Sequence, residues 1–325
     1  MKNMKYVEAI REALREEMLR DKRVFLIGEA LGGKQEGVFK VTAGLQQEFG
    51  EERVIDTPIS EAAIAGAAVG AAVFGMRPVA EIMFGNLLAL CGDEIHNQAG
   101  KFHYLSGGQV NVPAVFRVTT WMRLVSGPHH CGTLDAWMLN TPGIKIAAPA
   151  TPADAKGLMK ASIRDDDPVV FIEHSALYGI KGSVPEEEYI TPLGKADIKR
   201  KGNDVTVFAY GIVVHDALEA AQDLSKEGID VEVVDIRSLK PLDEDLILES
   251  VKKTGRVVVA NEGPKTGGVG AEISAIIAEN AINFLDGPIV RVAGPDTPQP
   301  ANEILLNAIS IGKHEIISGV KKATA

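Results

Sequence analysis

Hydrophobic positions in the first twenty residues recur with helical spacing. Val7, Ile10, Leu14 and Met18 share one stripe and predict an amphipathic helix. The pattern then changes. Val24–Gly28 is a short, wholly apolar run closed by glycine, which predicts a strand buried on both faces. Further strand-like runs follow at Pro78–Met83, Pro113–Val118, Ile144–Ala148 and Pro168–Ile172, with helical stretches at 61–75, 87–104 and 153–164 between most of them. Such alternation predicts an α/β fold: a mostly parallel sheet with helices on both faces. Residues 174–196 break the rhythm with two prolines, three glycines and a run of acids, and read as a crossover. The alternation restarts with strands at Val205–Tyr210, Val231–Ile236, Val257–Ala260 and Ile289–Val292, and with helices at 212–226, 243–253 and 270–281. The expectation is one α/β domain over 1–185 and a second, smaller one over 195–325.

The length of 325 residues agrees with two domains. A net charge of −10 argues against a nucleic-acid binder and against a surface built for anionic lipid. The uncharged stretch Ala62–Met76 is shorter than the roughly 20 residues of a membrane span. It predicts a buried helix packed closely through small residues. The two cysteines, Cys91 and Cys131, are far apart in sequence, and the N-terminus lacks a signal-peptide core. Both features suggest a reduced, cytoplasmic protein.

The most informative polar residue is Glu61, in Thr57-Pro58-Ile59-Ser60-Glu61. Pro58 and Ser60 end one element, and Ser60 is placed to cap the helix that follows. Spacing alone makes Glu61 an acid of the kind favoured at a helix N-terminus. The helix behind it is small and apolar, so Glu61 is also a buried carboxylate in need of a partner. Glu29 follows Gly28 at the end of the first strand, where ligands bind in open α/β sheets; a surface acid is the equal alternative. His129-His130-Cys131 lies in a loop without zinc spacing, so hydrogen bonding or proton transfer by a histidine competes with a structural role. Nothing in the sequence lowers the pKa of Cys131, which leaves it a weak nucleophile. Gly263–Gly270 matches no nucleotide motif and reads as a tight turn or subunit contact. Asp165-Asp166-Asp167-Pro168 has cation-ligand chemistry but reads more simply as a solvated turn.

Several stretches together resemble a known family. RVFLIGEA, RVIDTPISEAAIAGAAVGAA, GMRPVAEIMF, DIRSLKPLDED and GPKTGGVGAEI are similar to the beta subunits of the thiamine-diphosphate-dependent pyruvate, branched-chain 2-oxo-acid and acetoin dehydrogenases. The likeness runs from Tyr6 to about Ala308, and residues 177–211 look most like acetoin dehydrogenase. It implies a thiamine-diphosphate-binding fold with a transketolase-type C-terminal domain. It also implies an assembly of two alpha and two beta chains, a lipoyl acyltransferase partner, and a small 2-oxo acid or acetoin as substrate. The GDG…N signature for Mg2+ and diphosphate is not found in this sequence, so the alpha subunit is expected to hold both.

By resemblance, Glu61 contacts a pyrimidine nitrogen of the cofactor and shares a proton with the ring. Glu29, Ile59, Met83 and Leu87 line the cofactor, Leu87 at a position that is usually aromatic. His130 takes the place of the family's active-site histidine, which orients substrate and aids acyl transfer. Ala114, Ser162, Asp165 and Asp167 match a potassium site of some members. The departures are local. The family's HSQ is His130-Cys131-Gly132, its glycine-rich approach is Thr119–Val125, and its second-domain histidine is Asn261. They leave three alternatives: half of a split transketolase or decarboxylase, a non-catalytic assembly subunit and, more distantly, a hydrolase based on Cys131.

Overall fold

The computed structural model describes residues 1–325. The first part of the chain runs β1 (Lys2–Lys5), α1 (Tyr6–Arg20), β2 (Val24–Glu29), α2 (Leu45–Phe49), β3 (Val54–Thr57), α3 (Glu61–Val73), β4 (Arg77–Ile82), α4 (Gly100–Leu105), β5 (Val115–Thr120), α5 (Asp135–Leu139), β6 (Lys145–Ala147), α6 (Pro152–Arg164), β7 (Val169–His174) and β8 (Lys181–Val184). The second runs β9 (Asp197–Arg200), β10 (Val205–Ala209), α7 (Val213–Ser225), β11 (Val231–Asp235), β12 (Ser238–Lys240), α8 (Glu244–Thr254), β13 (Val257–Pro264), α9 (Val269–Ala281), β14 (Val290–Gly294), α10 (Glu303–Ile309) and α11 (Lys313–Thr324).

A seven-stranded sheet has the order β12-β6-β7-β5-β4-β2-β3, and a five-stranded sheet the order β14-β13-β10-β11-β9. Every pairing in them is parallel except those of β12 and β9. β2, β5 and β7 are buried at every residue. That burial explains why they do not alternate, since a strand covered on both faces has no polar side; Arg117 of β5 and Glu173 of β7 are the charges that interrupt them.

Three differences from the sequence reading have local causes. The helix expected over 87–104 is broken into tight 3-10 turns at Gly85–Cys91, wider π-type turns at Asp93–Ala99, and α4. Gly92 and Gly100 stand at the breaks, where glycine weakens a helix. The crossover is partly ordered, since β8 pairs antiparallel with β1 at the N-terminus. β1 is short and mostly exposed, so it leaves no hydrophobic pattern to read. α3 is only half-buried: Ile64, Ala65, Ala68 and Val69 face the core, while Ala62, Ala63, Ala67 and Gly70 are exposed. No helix is long and apolar enough to cross a membrane.

The two sheets share their cores. One cluster joins Ile10, Leu26 and Phe171 to Val207 and Val233, and the other joins Phe25 and Phe116 to Phe208 and Val259. β12, from the second part of the chain, also completes the edge of the first sheet beside β6. A polar cluster sits at the same seam. Asp154 of α6 accepts from Arg237 Nη1 at 2.8 Å and from Lys199, which also bonds Asp197 at 2.7 Å. Those two cations and two anions balance, leaving Asp235, 3.7 Å from Lys199, as the excess acid. Burial pushes its pKa up to about 8, against the pull of Lys199. The folded chain therefore holds a proton that the unfolded chain releases near pH 4. Stability should fall as pH rises through the window from about 4 to 8, by about 1.4 kcal/mol per pH unit from this group. Asp235→Asn should flatten that slope and raise the melting temperature most above pH 8. Melting curves of both proteins from pH 5 to 9 check this; parallel slopes would show that Asp235 ionises freely.

Candidate active site

The predicted cofactor residues come from the carboxyl ends of three adjacent parallel strands, β4, β2 and β3. Glu29 is the last residue of β2 and pairs in register with Thr57, the last of β3. Gly28 pairs with Asp56 on one side and Glu81 on the other. A Cβ at Gly28 would lie 3.0 Å from the Cβ and carbonyl oxygen of Glu81, so glycine lets β4 approach. Pro58–Ser60 then form an exposed turn, with Ile59 78% exposed, and Glu61 opens α3. Ser60 does not cap this helix with its side chain; its backbone is extended at φ −164° and ψ 86°. The acid in the first turn is Glu61 itself, which complements the partial positive charge of the helix N-terminus.

Glu29 and Glu61 are both buried, at 8% exposure. Burial raises the pKa of Glu29, and the charges of Glu61 and Glu81 raise it further. Neither side chain has a hydrogen bond or salt bridge within the chain; the backbone carbonyl of Glu61 accepts from Cys91 Sγ at 3.3 Å. Burial and the charges of Glu94 and Glu61 push the Cys91 thiol up to about 12. Met83 and Leu87, both half-buried, continue the rim beyond β4.

His130 lies on the long loop that follows β5. Its ring packs edge-on against Phe84 with centroids 4.6 Å apart, and Phe84 packs on Trp121 at 4.8 Å. The fold thus brings His130 next to the residue that follows Met83. Asn86 holds the loop by donating to the carbonyls of Pro128 (2.7 Å) and Cys131 (3.3 Å). The close approach is made possible by Gly85, where a Cβ would collide with the carbonyl of Gly132. Cys131 is buried, which raises its pKa, and its Sγ donates to Leu124 O at 3.2 Å. A buried, protonated thiol is the opposite of an activated nucleophile, so no hydrolase is built on it.

The candidate potassium residues lie elsewhere, beside β6 and the end of α6. There the carbonyl of Ala114 accepts from Val169 N, and that of Asp165 accepts from Arg77 Nη1 at 2.8 Å. Ser162 Oγ donates to Leu158 O at 2.7 Å. Lys145 Nζ sits between the carboxylates of Asp165 (2.8 Å) and Asp167 (3.1 Å). Arg77 and Lys145 thus already supply positive charge at these groups.

Two charged clusters escaped the sequence reading. Arg117, on β5, is buried between Glu173 of β7 (2.5 Å) and Glu81 of β4, and Tyr178 donates to Glu173 at 2.7 Å. Arg123 reaches into the second part of the chain to Glu262 at 2.6 Å. Burial acts to raise the pKa of Glu262, but neighbouring His174 and Arg123 outweigh it and hold the carboxyl at about 2. His174 Nε2 stands at ion-pair distance from Glu262, 3.0 Å, but off the line of a hydrogen bond. The missed signal was simple: PVAEIMF, VPAVFRV and PVVFIEH each carry one charge inside an apolar strand run. A cavity of about 210 Å3 lies behind the His130 loop, lined by Asn86, Met122, Cys131, Thr133, Glu262 and Gln299 among others. Glu29 and Glu61 do not line it.

Comparison with known proteins identifies the two parts of the chain. Residues 2–181 match the family model described as transketolase, pyrimidine binding domain, and residues 194–316 match transketolase, C-terminal domain. The chain is 48% identical to the 2-oxoisovalerate dehydrogenase subunit beta of Bacillus subtilis (strain 168), over 92% of this chain and 91% of that one. It belongs to the beta subunits of the thiamine-diphosphate-dependent 2-oxo-acid and acetoin dehydrogenases. Another member, the acetoin:2,6-dichlorophenolindophenol oxidoreductase subunit beta of the same strain, is 45% identical over 92% of this chain and 90% of its own length. Among solved structures, a split gene transketolase described as an inactive beta4 tetramer superposes with a TM-score of 0.81 at 27% identity, covering 98% of this chain and 97% of that one. The two matched regions of this beta-subunit family member leave the crossover between them, one ending at residue 181 and the other beginning at 194.

Proposed function

We propose that this chain is the cytoplasmic beta half of a heteromeric enzyme that decarboxylates a small 2-oxo acid or cleaves acetoin. In this reading an alpha-type partner completes the cofactor site and a lipoyl-bearing acyltransferase receives the acyl group. The folding units are taken as 1–185 and 195–325. The observation that carries the proposal is the pair of largely buried residues Glu29 and Glu61, whose carboxylates have no partner in their own chain and open to the surface at the ends of the strands. A buried acid needs a donor or a shared proton, and a protonatable ring nitrogen of thiamine diphosphate supplies one. When bound, that cofactor supplies the nucleophilic carbon and the electron sink for the reaction.

Glu61 would share a proton with the pyrimidine nitrogen from its place at the start of α3. Glu29, Ile59, Met83 and Leu87 would pack around the ring and exclude water. His130, exposed on its loop, would orient the substrate carbonyl and later hold or give up a proton during acyl transfer. Mg2+ and the diphosphate would be held by the alpha chain. Because Arg77 and Lys145 already neutralise the groups around Ala114, Ser162, Asp165 and Asp167, no step is assigned to potassium.

The exposed face of α3 supports an obligate partner. Ala62, Ala63, Ala67 and Gly70 present small side chains beside Ile59 and the 90% exposed Phe74, a surface on which a second helix can pack closely. Titration calorimetry with thiamine diphosphate and Mg2+ tests the reading. The chain alone should bind at least about 100-fold more weakly, roughly 2.7 kcal/mol, than the chain co-purified with its alpha-type partner. Equal affinity would place the whole site in this chain and defeat the shared-site reading. Turnover of the pair on pyruvate, 2-oxoisovalerate and acetoin, with ketose phosphates as the contrast, separates it from the split-transketolase reading that the structural neighbour favours.

A further inference from the structure

The loop that bears His130 is fastened mainly to the second part of the chain. Arg123 Nε donates to Glu262 Oε1 at 2.6 Å, Nη1 to Asp216 Oδ1 at 3.3 Å, and Nη2 to Ile311 O at 3.2 Å. Gln299, 6% exposed, donates through Nε2 to the carbonyls of Met122 (2.5 Å) and Leu124 (3.1 Å). The Leu124 carbonyl is a junction: it also accepts from Cys131 Sγ at 3.2 Å. Cys131 is the neighbour of His130. An unbroken set of contacts therefore runs from Glu262 and Asp216, through Arg123 and Leu124, to Cys131 and His130.

Two of these residues, Arg123 and Cys131, lie in the stretches where this chain departs from the family pattern. We infer that they act together, and that Arg123 is a positioning residue which fixes where His130 stands by locking residues 121–132 to the second part of the chain. The inference rests on the role given to His130 above. An arginine suits the task because its planar fork satisfies two carboxylates and a carbonyl in fixed directions, which the single ammonium of lysine cannot do. Spatial continuity alone does not establish coupling; a double-mutant cycle does.

The experiment uses the complex reconstituted from this chain and its alpha-type partner. Dye-coupled turnover with 2,6-dichlorophenolindophenol is measured on whichever of pyruvate, 2-oxoisovalerate and acetoin is turned over fastest. The variants are Arg123→Met, Arg123→Lys, His130→Ala and the double Arg123→Met/His130→Ala. His130→Ala should lower kcat about 100-fold, within the range of a positioned proton-transfer group. Arg123→Met should lower kcat about tenfold, with KM and thiamine-diphosphate affinity within about twofold of wild type. The double variant should be no slower than His130→Ala alone, and Arg123→Lys should recover part of the loss. A wild-type rate for Arg123→Met, or a double variant slowed by the product of the two single effects, overturns the inference. Should Arg123→Met fail to assemble, Gln299→Met removes the contacts to Met122 and Leu124 without baring a charge, and its cycle with His130→Ala decides the question. A His130→Ala variant as fast as wild type fails differently: it removes the assignment of His130, and Arg123 then has nothing to position.

Discussion

Glu61→Gln should abolish turnover of the assembled enzyme while leaving the chain folded. The expected loss is about 10²–10⁴-fold in kcat, the usual contribution of a group that manages a proton at the reacting centre. Glutamine keeps the shape and one acceptor oxygen, so packing at the start of α3 is unchanged. What disappears is the capacity to share a proton. The stability effect should be small because two terms oppose each other. The charge of Glu61 is favoured by the helix N-terminus, by about 0.3–1 kcal/mol. Against that, it is buried beside Glu29, whose pKa it helps to raise. The substitution should therefore lower the pKa of Glu29 and change the melting temperature little. Steady-state rates with saturating cofactor, beside a melting curve of the same sample, give both readings. A variant within about tenfold of wild type would mean that this carboxylate moves no proton, and the chain would be better described as an assembly subunit.

Much of this was legible in the sequence for a plain reason. Strands covered on both faces are mostly apolar, so β2, β4, β5 and β7 announced themselves, and so did Glu29 at the end of β2. Glu29 and Glu61 stood out because each closes or opens an element whose other residues are apolar. The unread parts have equally physical causes. β1 and β8 are held by backbone pairing at the surface and need no hydrophobic pattern. β12 is three residues long and joins the sheet of the other part of the chain, a long-range pairing that local periodicity does not encode. Half of α3 is exposed because composition reports that a face is apolar, not whether its own chain covers it. Arg123, Glu262 and Asp216 lie far apart in sequence and meet only when the two parts of the chain pack together.

Arg117 shows how a residue remote from the reacting atoms still shapes them. Its guanidinium donates to both oxygens of Glu173, at 2.5 and 2.9 Å, and to Glu81, in the centre of the seven-stranded sheet. The site is dry: Arg117 is 2% exposed and Glu173 fully buried. Replacing Arg117 by methionine keeps the volume but leaves Glu173, fully buried, and Glu81, mostly buried, without their cation. Removal of one partner from such a cluster typically costs about 3–5 kcal/mol, the largest stability loss expected of any single change considered for this chain. The loss should depend on pH. Burial already raises the pKa of Glu81 even with Arg117 beside it; without Arg117 it should rise further. The folded variant would then carry protons that the unfolded chain releases, so its stability falls as pH increases. Melting midpoints should therefore show a deficit that shrinks from pH 8 to pH 5.5, and Arg117→Met/Glu81→Gln/Glu173→Gln should recover part of it at every pH. A deficit independent of pH would assign the loss to packing instead. There is also a consequence at the active site. Glu81 helps to raise the pKa of Glu29, so a protonated, neutral Glu81 should let Glu29 ionise more readily. The acid limb of the kcat profile then offers a second, independent measure of the same charge balance.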